Sequence, residues 1–295
     1  MRAMTTAPPG RFVSGLHVRT LGSGRPFVMF EAGIAATSAN WISIQRELSG
    51  HAQTCSYDRA GLGWSPPAPG ERTLHRWSDD LHRLIHELGE TRVVLVAHSF
   101  GACSARVYAH RFPDDVAALV LIDPMVPEEF AELAFSTRVR LWRAAFFSYV
   151  AVLCAAVGLV RLGLWALLRR GPGDPGPLFG MSATLRRVSE EVGKLPPDAV
   201  RALRVRWARP RFYWELAASI AALPPCARET IQRPVPEHLP VTVLSGSHQT
   251  PEALERHRAL ATRHLVVDGS GHWIHLDRPS LVAEAILAAG PASPL

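Results

Sequence analysis

Val93-Val94-Leu95-Val96-Ala97-His98-Ser99-Phe100-Gly101-Ala102-Cys103-Ser104-Ala105 is the stretch on which the fold turns. Four aliphatic residues in a row, Val93 to Val96, read as a strand buried on both faces. The small residues from Gly101 to Ala105 open a helix, so Ser99 has to sit on a tight strand-to-helix turn. Such a turn accepts only small residues two places either side of the serine, and Ala97 and Gly101 meet that demand. The turn lifts the hydroxyl clear of the sheet. It also aims the helix N-terminus at it, where unpaired N–H groups favour a developing negative charge. Ser99 is therefore the candidate nucleophile.

Outward from this point the chain alternates short apolar runs with helical patterns, the rhythm of a parallel sheet covered on both faces. The other runs are Phe27-Val28-Met29-Phe30, Gln53-Thr54-Cys55-Ser56-Tyr57 and Ala118-Leu119-Val120-Leu121-Ile122. Leu74, Trp77, Leu81, Leu84, Ile85 and Leu88 recur at helical spacing, opened by Thr73 as N-cap and closed by Gly89. The rhythm stops after Asp123-Pro124 and resumes at Val241-Thr242-Val243-Leu244. A helix from about Pro251, a strand Leu265-Val266-Val267 and a last helix from Leu281 to Ala289 follow.

Both halves must pair side by side for the sheet to close, so the intervening segment is expected to be a lid. The expected organisation is a core over residues 1–126, a helical cap over 127–238 and the rest of the core over 239–295. Within the cap, residues 144–160 carry no charge and Arg161 interrupts a further apolar stretch to Leu168. One reading makes this a pair of helices that bury one face on the core and line a substrate tunnel. The other makes it an interfacial element that touches lipid, since Arg138, Arg140, Arg143, Arg161, Arg169 and Arg170 flank it. Residues 171–179 read as a loop dividing the cap.

The formal charge of +6 does not imply a nucleic-acid partner. Lys194 is the single lysine, and residues 138–215 hold fourteen basic against five acidic residues, leaving the remainder slightly acidic. Cys55, Cys103, Cys154 and Cys226 form no CxxC pair, so no metal site, cofactor or disulfide framework is indicated. The first ten residues lack the apolar run of a secretory signal. A cytoplasmic location is the expectation, with peripheral membrane contact through the cap as the alternative; the oligomeric state is not legible.

A serine hydroxyl needs a base, and histidine, with a reference pKa of about 6.5, suits the task. His272, in Ser270-Gly271-His272-Trp273 after the last strand, lies at the sheet edge from which Ser99 emerges; His275 on the same loop is its rival. His98 adjoins the nucleophile but points elsewhere on a tight turn and reads as structural. The base needs a carboxylate to fix its tautomer. Asp123 ends the strand next in chain order and is the candidate, with Asp268 and Glu252 as rivals. Two backbone donors should face the oxyanion: the amide of Phe100, which follows the nucleophile, and that of Ile34, in the loop Glu31-Ala32-Gly33-Ile34-Ala35.

Together with Tyr57-Asp58-Arg59-Ala60-Gly61-Leu62-Gly63-Trp64-Ser65 and Leu121-Ile122-Asp123-Pro124, these pieces resemble the α/β-hydrolase superfamily, in particular its bacterial esterase-like proteins with an inserted cap. The resemblance covers Val18 to Pro127 and Val241 to Leu287. It implies a Ser, Asp, His order, cofactor-free hydrolysis and an acyl-enzyme intermediate. Three departures stand out. Ala97 replaces the commoner glycine, Ala32-Gly33 replaces the usual His-Gly, and Ser245-Gly246-Ser247-His248-Gln249-Thr250 has no acid where the family often carries one. Related branches place the acid at the equivalent of Asp123. Asp58-Arg59 reads as structural support for the loop after the first strong strand.

The resulting expectation is a carboxylic ester hydrolase acting on an ester or lactone with an apolar portion. Carbon–carbon, amide or perhydrolase chemistry is the alternative on the same residues, and a non-catalytic ligand-binding or membrane-docked protein is the alternative of another class. A serine nucleophile excludes epoxide hydrolysis and dehalogenation by the usual aspartate route.

Overall fold

The computed structural model describes residues 10–67, 72–168 and 193–290. Eight strands form one sheet: β1 (Arg11–Val13), β2 (Leu16–Leu21), β3 (Phe27–Glu31), β4 (Gln53–Tyr57), β5 (Val93–His98), β6 (Val116–Ile122), β7 (Val241–Gly246) and β8 (Arg263–Val267). Their order is β1-β2-β4-β3-β5-β6-β7-β8. From β4 to β8 every neighbouring pair is parallel, while β1 and β2 pair antiparallel with each other and β2 antiparallel with β4.

The apolar runs of the central strands follow from their position in the sheet. In β3, β5 and β6 successive side chains enter two different cores. Met29, Leu95, Ala97, Leu119 and Leu121 pack beneath helices α2 (Leu74–Glu87) and α3 (Gly101–Arg111), through Leu81, Leu84, Ala102, Ala105 and Tyr108. Val28, Phe30, Val94, Val96, Val120 and Ile122 pack on the other face, against Trp41 and Ile44 at and in α1 (Ile42–Leu48). Helix α2 begins where the sequence indicates, with the Thr73 hydroxyl accepting from the Arg76 amide at 3.2 Å, and Gly89 beyond its end takes a φ of 79°.

The chain leaves the sheet at Ile122 and returns beside it at Val241, where Ile122 pairs with Leu244. Between them lie α4 (Glu128–Ala131), α5 (Phe135–Ala156), α6 (Leu159–Leu168), α7 (Pro197–Trp207) and α8 (Pro210–Gln232). Helix α8 carries Pro224 and Pro225 in its interior, and its Ala222, Leu223 and Cys226 meet Phe100, Trp77 and Leu74 of the core. The C-terminal part adds α9 (Pro251–Leu260), α10 (Ile274–Asp277) and α11 (Pro279–Ala289).

Two features differ from the sequence reading, and a third expectation is not described. The sheet begins before Phe27, with a hairpin turned at Ser14-Gly15, both at positive φ. The uncharged segment from 144 to 160 belongs mostly to the single long helix α5, which ends before Gly158 at φ 81°; much of its surface is exposed rather than buried on the core. The expected loop at 171–179 lies outside the described residues.

On the α1 side, His275 of α10 is buried among aromatic rings, 4.8 Å from Trp41 and 4.5 Å from His98 between centroids. Burial, and to a lesser extent His272, lower its pKa to about 3. A histidine held neutral in the folded chain but free to protonate at about 6.5 when unfolded loses stability as pH falls between those values. We expect unfolding free energy to fall with acid, His275 contributing about 1.4 kcal/mol per pH unit below about pH 6. His275→Phe, which keeps the ring packing, should lose that share of the slope in urea titrations. An unchanged slope would mean that the imidazole is already charged in the fold.

Candidate active site

Ser99 ends the turn after β5 at φ 53°, a left-handed conformation that a non-glycine residue holds only under constraint from its surroundings. Its amide donates to the Ile122 carbonyl at 3.0 Å, and its carbonyl accepts from the Ala102 and Met125 amides at 3.0 and 3.1 Å. The turn is thus pinned to β6, to α3 and to the segment after Asp123. Gly101 is required by space: a Cβ there would stand 2.6 Å from the Ala32 carbonyl oxygen and 2.8 Å from that of Glu31.

Asp123 follows β6 at φ 43°, its amide donating to the Leu244 carbonyl at 2.7 Å. His272 donates from Nδ1 to Asp123 Oδ2 at 2.6 Å, because a carboxylate can only accept; the lone pair is left on Nε2. The same carboxylate accepts from the Gly246 amide at 2.9 Å and from Gln249 Nε2 at 2.8 Å. Burial by itself would push the Asp123 carboxyl up, but these three hydrogen bonds hold it below its ordinary value. The rivals stand elsewhere: Glu252 is exposed in the first turn of α9 and Asp268 is exposed after β8. The Ser99 hydroxyl is half-buried and makes no hydrogen bond among the described residues, so the structure joins Asp123 to His272 but not His272 to Ser99.

His98 donates from Nε2 to the His272 carbonyl at 2.8 Å, fixing the backbone of the histidine loop. Burial, His275 and His272 depress its pKa well below the usual value, so it packs as a neutral ring. Asp277 holds the same loop from below, accepting from Ser270 Oγ at 2.8 Å and the Gly271 amide at 3.2 Å. Neither Gln249 nor Asp277 stood out in the sequence. An isolated amide or acid in a loop carries no periodicity, and only the fold shows which carboxylate or amide it meets.

The loop after β3 is fastened by the Asp58-Arg59 pair. Arg59 Nη2 donates to the Gly33 carbonyl at 2.6 Å and Nη1 to Glu31 at 2.6 Å, while its guanidinium lies 5.5 Å from the Phe100 ring centroid. Burial raises the Glu31 carboxyl against the opposing pull of Arg59 and of the Tyr57 hydroxyl that bonds it. Asp58 accepts from the Ser38 and Trp64 amides and from His17 of β2, joining the segments after β3 and β4 to that strand. A Cβ at Gly33 would lie 3.1 Å from His98 Nδ1 and 3.5 Å from Ser99 Cβ, which places this loop directly beside the serine. The amides of Ile34 and Phe100 donate to no acceptor among the described residues. Ile34, Phe100, Met125, Leu223 and Leu141 belong to one apolar cluster, giving the site a greasy wall.

Among the described residues, two groups of side chains have metal-ligand character. Atoms of Asp123, His248 and His272 lie within 4.8 Å of one another, as do those of His82, His86 and Asp115. In the first, His272 and Asp123 are already committed to their mutual hydrogen bond. In the second, His82 and His86 lie on α2 and Asp115 just before β6, and His82 bonds Asp115 at 2.8 Å.

Because Gly101 sits against backbone that cannot recede, Gly101→Ala should displace the turn. We expect about 1–3 kcal/mol of lost stability in urea unfolding and a fall of about tenfold or more in the rate at which a fluorophosphonate labels Ser99. Wild-type values for both would show that the turn has slack.

A family model described as alpha/beta hydrolase fold matches residues 26–152. A 2-(acetamidomethylene)succinate hydrolase of Mesorhizobium japonicum is 34% identical over 108 residues, 37% of this chain and 38% of that protein. The first curated relatives are matched over roughly two fifths to half of their own length. Among solved structures, the epoxide hydrolase CorEH superposes with a TM-score of 0.66 at 18% identity, covering 92% of this chain and 93% of its own. A thermophilic esterase from Thermogutta terrifontis gives 0.60 at 20% identity, covering 92% of each. With the strand order and the inserted helices, these matches show that the chain has the α/β-hydrolase fold.

Proposed function

We propose that the protein is a serine hydrolase that cleaves a carboxylic ester or lactone bearing an apolar portion, through an acyl-enzyme intermediate. The observation that carries this reading is the 2.6 Å bond from His272 to a buried Asp123, at the edge of the sheet where Ser99 turns out at positive φ. Ser99 Oγ attacks the substrate carbonyl carbon while His272 Nε2 takes its proton. The carbonyl oxygen becomes an oxyanion held by the Phe100 and Ile34 amides, which have no other acceptor to give up among the described residues. Asp123 keeps the imidazole in the right tautomer and stabilises its charged form. Collapse of the intermediate breaks the ester C–O bond, and His272 returns the proton to the leaving alcohol. Water then repeats the sequence on the acyl-serine and releases the acid.

The wall of Ile34, Phe100, Met125 and Leu223 suits a hydrocarbon acyl or alcohol group, and the inserted segment, residues 127–238, acts as the cap over it. A second reading, amide hydrolysis on the same residues, draws support from the relative named for the hydrolysis of an acetamido compound.

A fluorophosphonate probe should label the wild-type chain at Ser99 and leave Ser99→Ala unlabelled; an unlabelled folded wild type would falsify the hydrolase reading. Asp123→Asn should retain the fold and lower kcat for aryl esters by about three to four orders of magnitude, because the imidazole loses its tautomer. Near-normal turnover in that variant would remove Asp123 from the mechanism. A panel of aryl esters of increasing acyl length, run beside matched anilides, separates the ester from the amide reading.

A further inference from the structure

From Phe135 to Leu168 the sequence contains no Asp or Glu, while Arg138, Arg140, Arg143 and Arg161 lie within it. Helix α5 rests on α8 and the core through Leu141, Ser148 and Ala155, seven residues apart along one line. At about 100° per residue, Phe135, Trp142, Phe146, Leu153 and Val157 fall on the far side in a stripe under roughly 100° wide. Phe135, Trp142, Leu153 and Val157 are 81%, 67%, 69% and 73% exposed. The same helical geometry puts Arg138 along one border of the stripe and Arg143 along the other, with Arg140 further round towards the packed line. Beyond Gly158, α6 continues the surface with exposed Leu159 and Leu162 on either side of Arg161.

A contiguous exposed apolar stripe of this extent requires a covering partner. Its borders decide which. A second copy of the same stripe would bring arginines against arginines, with no acid in the segment to offset them. An anionic bilayer meets both halves of the pattern: the aromatic and aliphatic side chains enter the acyl boundary while the flanking guanidinium groups reach phosphate oxygens. A helix of 22 residues is long enough to cross a membrane, but α5 is packed on α8 and holds three arginines in its first half. It therefore lies along the membrane plane. We infer that the exposed stripe of α5, continued by α6, is a peripheral docking surface for an anionic lipid bilayer. This does not depend on the chemistry assigned to Ser99.

The test is co-flotation of the full chain with vesicles of phosphatidylglycerol and phosphatidylcholine, compared with phosphatidylcholine alone. Wild type should float with the anionic vesicles, less so as salt rises, and bind the neutral ones weakly. Replacing Trp142, Phe146 and Leu153 together by serine should weaken binding on the order of a hundredfold. Replacing Arg138, Arg140 and Arg143 by glutamine should cost on the order of fivefold each on anionic vesicles. All six side chains lie outside the catalytic machinery, so near-ultraviolet circular dichroism and probe labelling of Ser99 in lipid-free solution should match wild type. A folded wild type that binds neither vesicle, or a serine variant that binds as well as wild type, overturns the inference. A lipid-free dimer that the serine variant abolishes, without vesicle binding, would assign the stripe to a second copy.

Discussion

Everything at the site depends on the parallel register of β5, β6 and β7. Ala97 pairs with Leu121 and Ile122 with Leu244, so all three strands run out at the same level. The Ser99 amide bonds Ile122, the Asp123 amide bonds Leu244, and the Asp123 carboxylate reaches the Gly246 amide. Each strand end is thus held by the next, and two residues at positive φ are kept in place by ladder bonds that belong to the sheet. A shift of one residue in β6 would move Asp123 away from both His272 and Gly246 at once.

This coupling explains why the core was legible and why parts of the site were not. The central strands were readable because burial on two faces forces an apolar residue at every position, as in Val93 to Val96. Helix α2 was readable because only one side of it is buried. Asp123 could be singled out because it terminates a strand, a position that topology sends to the working edge. The loop from Ser245 to Thr250, which attracted notice for lacking an acid, supplies the Gly246 and Gln249 donors that complement Asp123. That relation is invisible in sequence because its partners are 123 and 126 residues apart. The strand that opens the first hairpin leaves no pattern in the sequence, since β1 is three residues long at the sheet edge, too short for alternation to register. In α5 an apolar composition on nearly every side conceals which face meets the protein.

The polar interior around Arg59 shows a different economy from the hydrocarbon cores. Its guanidinium satisfies Glu31 and the Gly33 carbonyl while lying near Trp77 and Phe100, so one buried side chain ties the loop beside Ser99 to the apolar wall. The bidentate, planar shape of arginine matters here, since an ammonium could not reach both acceptors and keep the ring contacts. Charge in this region positions backbone.

The paired prolines of α8 bear on how the inserted helices connect to the rest. Pro224 and Pro225 bring no N–H, so the carbonyls of Ile220 and Ala221 lose their usual intrahelical donors. The hydroxyls of Ser219 and Thr230 bond back to Glu215 and Cys226 on either side, a habit that bends helices further. The interruption falls at the level of Ala222, Leu223 and Cys226, where the helix touches Phe100. The rod that carries α5 therefore lacks two backbone hydrogen bonds at the level where it is bolted to the core, which is where it resists bending least.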